Sequence, residues 1–290
     1  MYYYIVNPAA GGGRINKIQE RLKTLLKQKG IDGEFVKSTG RGEASKIAKV
    51  AVRQGATTIV AVGGDSTVSE VINGVVGTNK VVLGMLPIGV TNILARALGI
   101  ADWTQGVNVL AQRRVKIIDL GKINDIFFAT SLDIGFETEV LKDRQSSSLW
   151  KPVVFKKKVL DKILSYKPFS ATIKFDSKFS IETNIFNLSV FNTRLSKGEG
   201  DFKNDGKLTA VLVSSQSKFS LLKNFSKIAT ANYEEIPFVS KFRAKKIFVE
   251  GGKVARDVFA DAGYVGITPI EVSVSSKKLK VIVSKDRKFD

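Results

Sequence analysis

Apolar and polar positions change their rhythm near Gly121. Before it, short apolar runs alternate with amphipathic stretches: Tyr3 to Val6 predicts a strand, Lys17 to Gln28 and Ala44 to Arg53 predict helices, and Thr57 to Val62 predicts a buried strand. Val81 to Leu86 is a further apolar run, and Asn92 to Leu98 carries a helical pattern. This β-α-β-α order predicts a parallel sheet covered by helices, a fold in which ligands bind beyond the carboxyl ends of the strands. After Gly121, alternating runs at Ala171 to Phe175, Leu208 to Val213, Lys246 to Glu250, Ile270 to Val274 and Leu279 to Val283 predict a mostly antiparallel, β-rich domain. The expected division is an α/β domain over 1–121 and a β-rich domain over 122–290, with the extreme C-terminus free to pack back on the first. Gln145 to Ser148 reads as a short polar loop.

Between the two textures, Lys151 to Tyr166 repeats Phe155, Val159 and Ile163 at helical spacing, with Lys156, Lys157, Lys158 and Lys162 on other faces. Two readings stand: a core-packed helix with a solvated basic side, or a helix that touches a membrane surface.

Composition narrows the chemistry. The 290 residues are 43% hydrophobic and 25% charged, a globular balance. No stretch approaches the roughly 20 apolar residues needed to span a bilayer, and Met1 to Val6 lacks a basic leader, so a cytoplasmic location is expected. Neither Cys nor His occurs. Thiolate and imidazole catalysis are thereby excluded, and carboxylates, Lys, Tyr and hydroxyls remain for proton transfer. Any bound metal would be a hard, oxygen-ligated ion such as Mg²⁺. The formal charge of +19 favours anionic partners, including an anionic membrane surface. No nucleic-acid reading module is evident, and no nucleic-acid partner is expected.

Three loops carry the candidate chemistry, each following an apolar run and leading into a helix. Asn7-Pro8-Ala9-Ala10-Gly11-Gly12-Gly13 offers glycines for close backbone approach and free N–H groups for phosphate, or forms an ordinary tight turn. In Gly63-Gly64-Asp65-Ser66-Thr67, Asp65 reads either as a ligand of Mg²⁺ or as a helix cap, and Thr67 as a phosphate contact. The third is Leu86-Pro87-Ile88-Gly89-Val90-Thr91-Asn92-Ile93-Leu94-Ala95-Arg96. All three are expected on one edge of the sheet.

Taken together, these loops resemble the diacylglycerol kinase catalytic family, with its N-P-x-x-G, G-G-D-G-T and L-P-x-G-T-x-N-D-x-A-R segments. Asp119-Leu120-Gly121, Ile134-Gly135-Phe136 and Asp205-Gly206-Lys207-Leu208 match further family motifs in order, so the resemblance spans nearly the whole chain. It implies an ATP-dependent lipid kinase with an NAD kinase-like α/β domain. Asn7, Gly11, Thr39, Gly63, Gly64, Asp65, Ser66, Thr67, Gly89, Thr91 and Asn92 would hold ATP. Asp65 would be central to the phosphate and Mg²⁺ network, supported by Asp119, while Asp205, with main-chain carbonyls near Phe202 and Lys207, would bind a structural Mg²⁺.

Several positions depart from the family pattern. Ser66 replaces a glycine of G-G-D-G-T, Val90 stands at a Thr position with Thr91 beside it, and Ile93 replaces an Asp. The C-terminal D-G-E appears as Asp261-Ala262-Gly263, leaving Asp261 as either the candidate catalytic base or a turn residue. Reduced kinase activity is one expectation, and a catalytically silent relative that binds nucleotide or lipid is another. An NAD kinase, which shares the G-G-D-G-T loop, fits the N-P-x-x-G and L-P-x-G segments less well.

Overall fold

The computed structural model describes residues 1–78, 80–146, 152–196, 199–201, 205–229 and 236–287. The chain opens with β1 (Tyr2–Val6), α1 (Ala10–Gln28), β2 (Gly33–Lys37), α2 (Glu43–Arg53), β3 (Thr58–Gly63), α3 (Asp65–Val75), β4 (Val82–Pro87), α4 (Ile93–Ala97), α5 (Trp103–Gln112) and β5 (Val115–Ile118). Then follow β6 (Gly121–Ile123), β7 (Ile126–Phe128), β8 (Ser131–Gly135), α6 (Phe136–Ser146), α7 (Pro152–Ser165), β9 (Phe169–Phe175), β10 (Phe179–Phe191), β11 (Arg194–Ser196), β12 (Glu199–Asp201) and β13 (Leu208–Ser214). The remainder is α8 (Lys218–Lys223), α9 (Phe225–Ala229), β14 (Val239–Ala244), β15 (Lys246–Gly251), β16 (Asp257–Ala260), β17 (Gly263–Ile267), β18 (Ile270–Val274) and β19 (Leu279–Ile282).

The first sheet runs β2-β1-β3-β4-β19-β5, with β1 to β4 parallel. Its central strands β3 and β4 are buried at every position, which accounts for continuous apolar runs in place of alternation. The second sheet is antiparallel and has 11 strands, ordered β17-β16-β8-β10-β9-β15-β18-β6-β7, with β13 on β10 and β14 on β13. Here alternation holds: along β9, Phe169, Ala171, Ile173 and Phe175 are buried while Ser170 and Lys174 face outwards. One apolar cluster takes side chains from β8, β9, β10, β13, β15, β16 and β18, so the sheet curves round its own inward face. A smaller cluster lies beneath α6 to α9, built from Phe136, Val159, Ile163, Phe186, Leu221 and Ile228.

Three expectations change. β2 is a strand that the hydrophobic pattern did not mark, because it is short and mostly exposed. Leu279 to Val283, grouped by its alternation with the second domain, instead supplies β19 of the first sheet, parallel to β4 and antiparallel to β5. Gln145 and Ser146, expected in a loop, close helix α6, and 147–148 lie outside the described residues.

Polar contacts join the two sheets. Asn73 of α3 accepts from the Phe127 N–H and donates to the Phe127 carbonyl, both at 2.8 Å. Asn192 reaches the carbonyls of Asp119 at 2.8 Å and Ala129 at 3.1 Å.

Candidate active site at the glycine-loop edge

The loops after β1, β3 and β4 meet at the carboxyl ends of their strands, and glycine makes the meeting possible. Gly11, Gly12 and Gly13 take left-handed φ of 60°, 70° and 80°, turning the chain before α1 becomes regular. A Cβ on Gly11 would lie 2.3 Å from the Ile88 carbonyl oxygen, and one on Gly89 would lie 2.6 Å from the Gly64 Cα. The first loop is thus pressed on the third, and the third on the second. The Asn7 amide donates to the Thr67 hydroxyl at 3.0 Å, which ties the first loop to the second.

Asp65 sits at the centre. It is half-buried at the start of α3, its Oδ2 accepts from the Thr91 hydroxyl at 2.5 Å, and its Oδ1 accepts from the Ile93 N–H at 2.5 Å. It therefore caps α4, across the edge from its own helix. The contact also resolves the shifted threonine: Thr91 reaches the acid, while Val90 is 94% exposed at the loop tip. Asn92 has a left-handed φ of 49° and donates to the Gly89 carbonyl at 2.8 Å, and its buried Oδ1 has no hydrogen-bond partner. Ser66 is exposed and Thr67 buried.

Thr39 stands on the neighbouring loop after β2, where its hydroxyl donates to Glu43 at 2.7 Å and its N–H donates to the same oxygen. These donors hold the Glu43 carboxyl below its ordinary range. Glu70 of α3 was given no role from sequence, yet it accepts from the N–H groups of Gly42 at 2.8 Å and Ala44 at 3.1 Å, fixing the start of α2 beside this edge. Capping by a residue from another helix leaves no local signature.

Asp261 lies in the turn between β16 and β17 of the second sheet. Its Oδ1 accepts from the Thr130 N–H at 2.8 Å and the Thr130 hydroxyl at 2.5 Å, and its Oδ2 accepts from the Ala129 N–H at 2.8 Å. Burial pushes its carboxyl up and the negative charge of Asp65 adds to this, against the opposing pull of the three donors. Gly263, two residues on, is free of the left-handed constraint, and a Cβ there would meet only the Ala260 carbonyl at 3.4 Å.

A further acid escaped the sequence reading. Asp133 of β8 is buried, accepts from the hydroxyls of Ser189 at 2.5 Å and Ser131 at 3.0 Å, and has its carboxyl raised to about 7 by burial and by Glu137, with Asp261 adding to it. The only hint was an acid within an otherwise apolar strand.

The residues expected around a structural Mg²⁺ are placed differently from those of the edge. Asp205 is ion-paired with Arg243 and accepts from the Lys207 N–H at 3.2 Å. Asp119 is buried, paired with Lys278 at 3.0 Å, and accepts from the Gly206 N–H at 3.3 Å. Phe202 lies outside the described residues. Among the described residues no group of three or more acids is gathered at metal-binding range. Asp205 and Asp119 each pair with one basic side chain, and the main-chain carbonyls near Phe202 that belong to the expected set lie outside the described residues. At the loop edge, the hard oxygens of Asp65 keep lone pairs beyond the two in use, as a divalent ion requires. An open depression of about 430 Å³ lined by Lys29, Gln105, Asn108, Ser284 and Asp286 shares no residue with this edge.

A parallel sheet with glycine loops at its carboxyl edge, joined to an antiparallel β domain, defines the class of diacylglycerol-kinase-like and NAD kinase-like folds. Comparison with known proteins narrows this. Residues 1–123 match the diacylglycerol kinase catalytic domain, and residues 130–283 match the YegS C-terminal NAD kinase beta sandwich-like domain. The chain belongs to the diacylglycerol kinase catalytic family.

Among curated relatives, a diacylglycerol kinase of Mycobacterium tuberculosis is 26% identical over 293 residues, covering 96% of this chain and 93% of that protein. A diacylglycerol kinase of Bacillus subtilis is 29% identical over 195 residues, and the match takes in 65% of this chain and 64% of that protein. Among solved structures, a diacylglycerol kinase from Bacillus anthracis superposes with a TM-score of 0.73 at 20% identity, covering 98% of this chain and 97% of that one. An NAD kinase from Archaeoglobus fulgidus, solved in complex with ATP, gives 0.54 at 13% identity over 99% of this chain and 95% of that one. These two likenesses concern the fold.

Proposed function

We propose that the chain is a lipid kinase that transfers the γ-phosphate of ATP to a lipid hydroxyl, with diacylglycerol the first substrate to test. The observation that carries this reading is the convergence of three glycine loops on Asp65. The N–H groups at the start of α3, where no cap-residue side chain bonds the helix, suit phosphate oxygens. Asn7, Gly11, Thr39, Gly63, Gly64, Ser66, Thr67, Gly89, Thr91 and Asn92 would surround the nucleotide. Asp65 would hold Mg²⁺, which when bound supplies neutralisation of phosphate charge.

In phosphoryl transfer, positioning and charge stabilisation provide most of the rate. The hydroxyl oxygen forms its bond to the γ-phosphorus as the bond to the bridging oxygen of ADP breaks, and the hydroxyl proton passes to a carboxylate. Asp261 is the acceptor in this reading, because burial, with the Asp65 charge adding a little, raises its proton affinity above that of an ordinary carboxylate. Its oxygens already serve three donors, and Gly263 brings no second acid. Transfer is therefore slow relative to a site with a free carboxylate at that position.

Calorimetric titration with Mg-ATP tests the nucleotide half. Asp65→Asn should weaken binding by about tenfold to a hundredfold while the protein stays folded, since removing a charged partner from a half-buried site costs roughly 1.5–3 kcal/mol. Unchanged affinity would remove Asp65 from the site.

A further inference from the structure

We propose that α7 and α8 form a docking face for an anionic lipid bilayer, with Phe219, Leu222 and Leu164 entering the interface and Lys157, Lys218 and Lys223 meeting lipid phosphates. The inference deepens the lipid-kinase reading, on which it rests for the reason the chain should visit a bilayer.

Both helices pack inward on one small core, through Val159 and Ile163 of α7 and Leu221 of α8. Lys218 at the start of α8 donates to the Leu164 carbonyl at the end of α7, joining the two. Each helix therefore turns its opposite face to solvent. On α8 that face carries Phe219, 80% exposed, with Leu222 and Lys223 at the following turn. On α7 it carries Lys157, Asp161 and Leu164, at spacings of four and three.

A solvated basic helix needs no aromatic side chain left open to water, whereas an interfacial helix carries large apolar residues beside lysines. Asp161 is the acid on this face, and the basic balance favours anionic over zwitterionic lipid. The face also connects with the candidate site: Lys162 of α7 pairs with Asp143 of α6 at 3.3 Å, and Lys142 of α6 pairs with Asp257 of β16 at 2.5 Å, the strand that leads into Asp261. Among the described residues no helix is long and apolar enough to cross a membrane, so the contact is with the surface.

The test is co-sedimentation of the full chain with vesicles of phosphatidylglycerol and phosphatidylcholine, and with vesicles of phosphatidylcholine alone, at two salt concentrations. The wild type should bind the anionic vesicles and release as salt rises. Phe219→Ser should lower the partition coefficient by about tenfold or more, the loss expected for a large apolar side chain, and keep the salt dependence. Lys218→Gln with Lys223→Gln should lower it by about fivefold per lysine and flatten the salt dependence. Lys49→Gln with Arg53→Gln, on exposed positions of α2, removes equal charge and should change little. Equal loss in that control, no loss in Phe219→Ser, or concentration-dependent self-association abolished by Phe219→Ser without vesicle binding would each overturn the proposal. Vesicle binding requires neither ATP nor transfer. A chain that binds as described yet phosphorylates nothing contradicts only the kinase reading, and an active kinase indifferent to Phe219→Ser contradicts only the docking face.

Discussion

Asp261 is engaged by three donors from Ala129 and Thr130, which makes it structural whatever else it does. Asp261→Asn places an amide group where a donor already points, so the melting temperature should fall by the equivalent of about 1–3 kcal/mol, readable by thermal denaturation. An unchanged melting temperature would mean that the turn does not depend on this carboxylate. Gly263→Glu with Ser66→Gly addresses catalysis from the other side. The added side chain at 263 has room, and Ser66 is exposed, so the variant should fold. Its transfer rate should rise measurably with similar ATP affinity, because a well-placed general base contributes about 10² to 10⁴ in rate. A folded double variant no faster than the wild type would show that the missing acid is not what limits the reaction.

Asp133 makes a pH prediction of definite sign. Its carboxyl rises from the ordinary 3.8 to about 7 in the folded chain, so the native state holds a proton that the unfolded state has released between those values. The stability it contributes is complete below about 4 and is lost as pH rises towards about 7. Melting temperatures of wild type and Asp133→Asn should therefore shift relative to one another across that window in the variant's favour. A constant difference would contradict the buried-acid account. Asp133 was hidden from sequence reading because its closer partner, Ser189, belongs to β10, which only the fold brings beside β8. The basic partners of Asp205 and Asp119, Arg243 and Lys278, were hidden for the same reason.

At the scale of elements, strand-loop-helix transitions were legible wherever an apolar run ended in glycines, and this was enough to place all three loops on one edge. Pattern tells which face of a strand is buried, however, and not which sheet it joins. That is why Leu279 to Val283 was grouped with the wrong sheet and the exposed β2 was missed. The glycine contacts give a direct test of the edge. Gly11→Ala would force a side chain into a left-handed φ of 60° and within 2.3 Å of the Ile88 carbonyl. It should destabilise the fold by more than about 1 kcal/mol and weaken Mg-ATP binding. Gly12→Ala has the same backbone strain but open space around its Cβ. Equal effects from the two would mean that the loop-to-loop approach is unimportant.

At the scale of the whole molecule, the two sheets are tied together because β19 returns to the first sheet and Asn73 of α3 binds the Phe127 backbone of β7. In the proposed reading the identity of the acyl chains is not written in any short motif, since such chains are recognised by shape, whereas the three glycine loops offer a motif to read. The central claim is that Asp65, among the three loops, supports transfer of phosphate from ATP to a lipid. The most direct measurement is incubation of the full chain with γ-labelled ATP, Mg²⁺ and diacylglycerol dispersed in anionic vesicles, followed by extraction and identification of labelled lipid. The account predicts labelled phosphatidic acid at a low rate with the wild type, and none above background with a folded Asp65→Asn variant. Labelling that persists undiminished in that variant, or no labelled lipid from the folded wild type with either diacylglycerol or an extracted lipid pool, would contradict it.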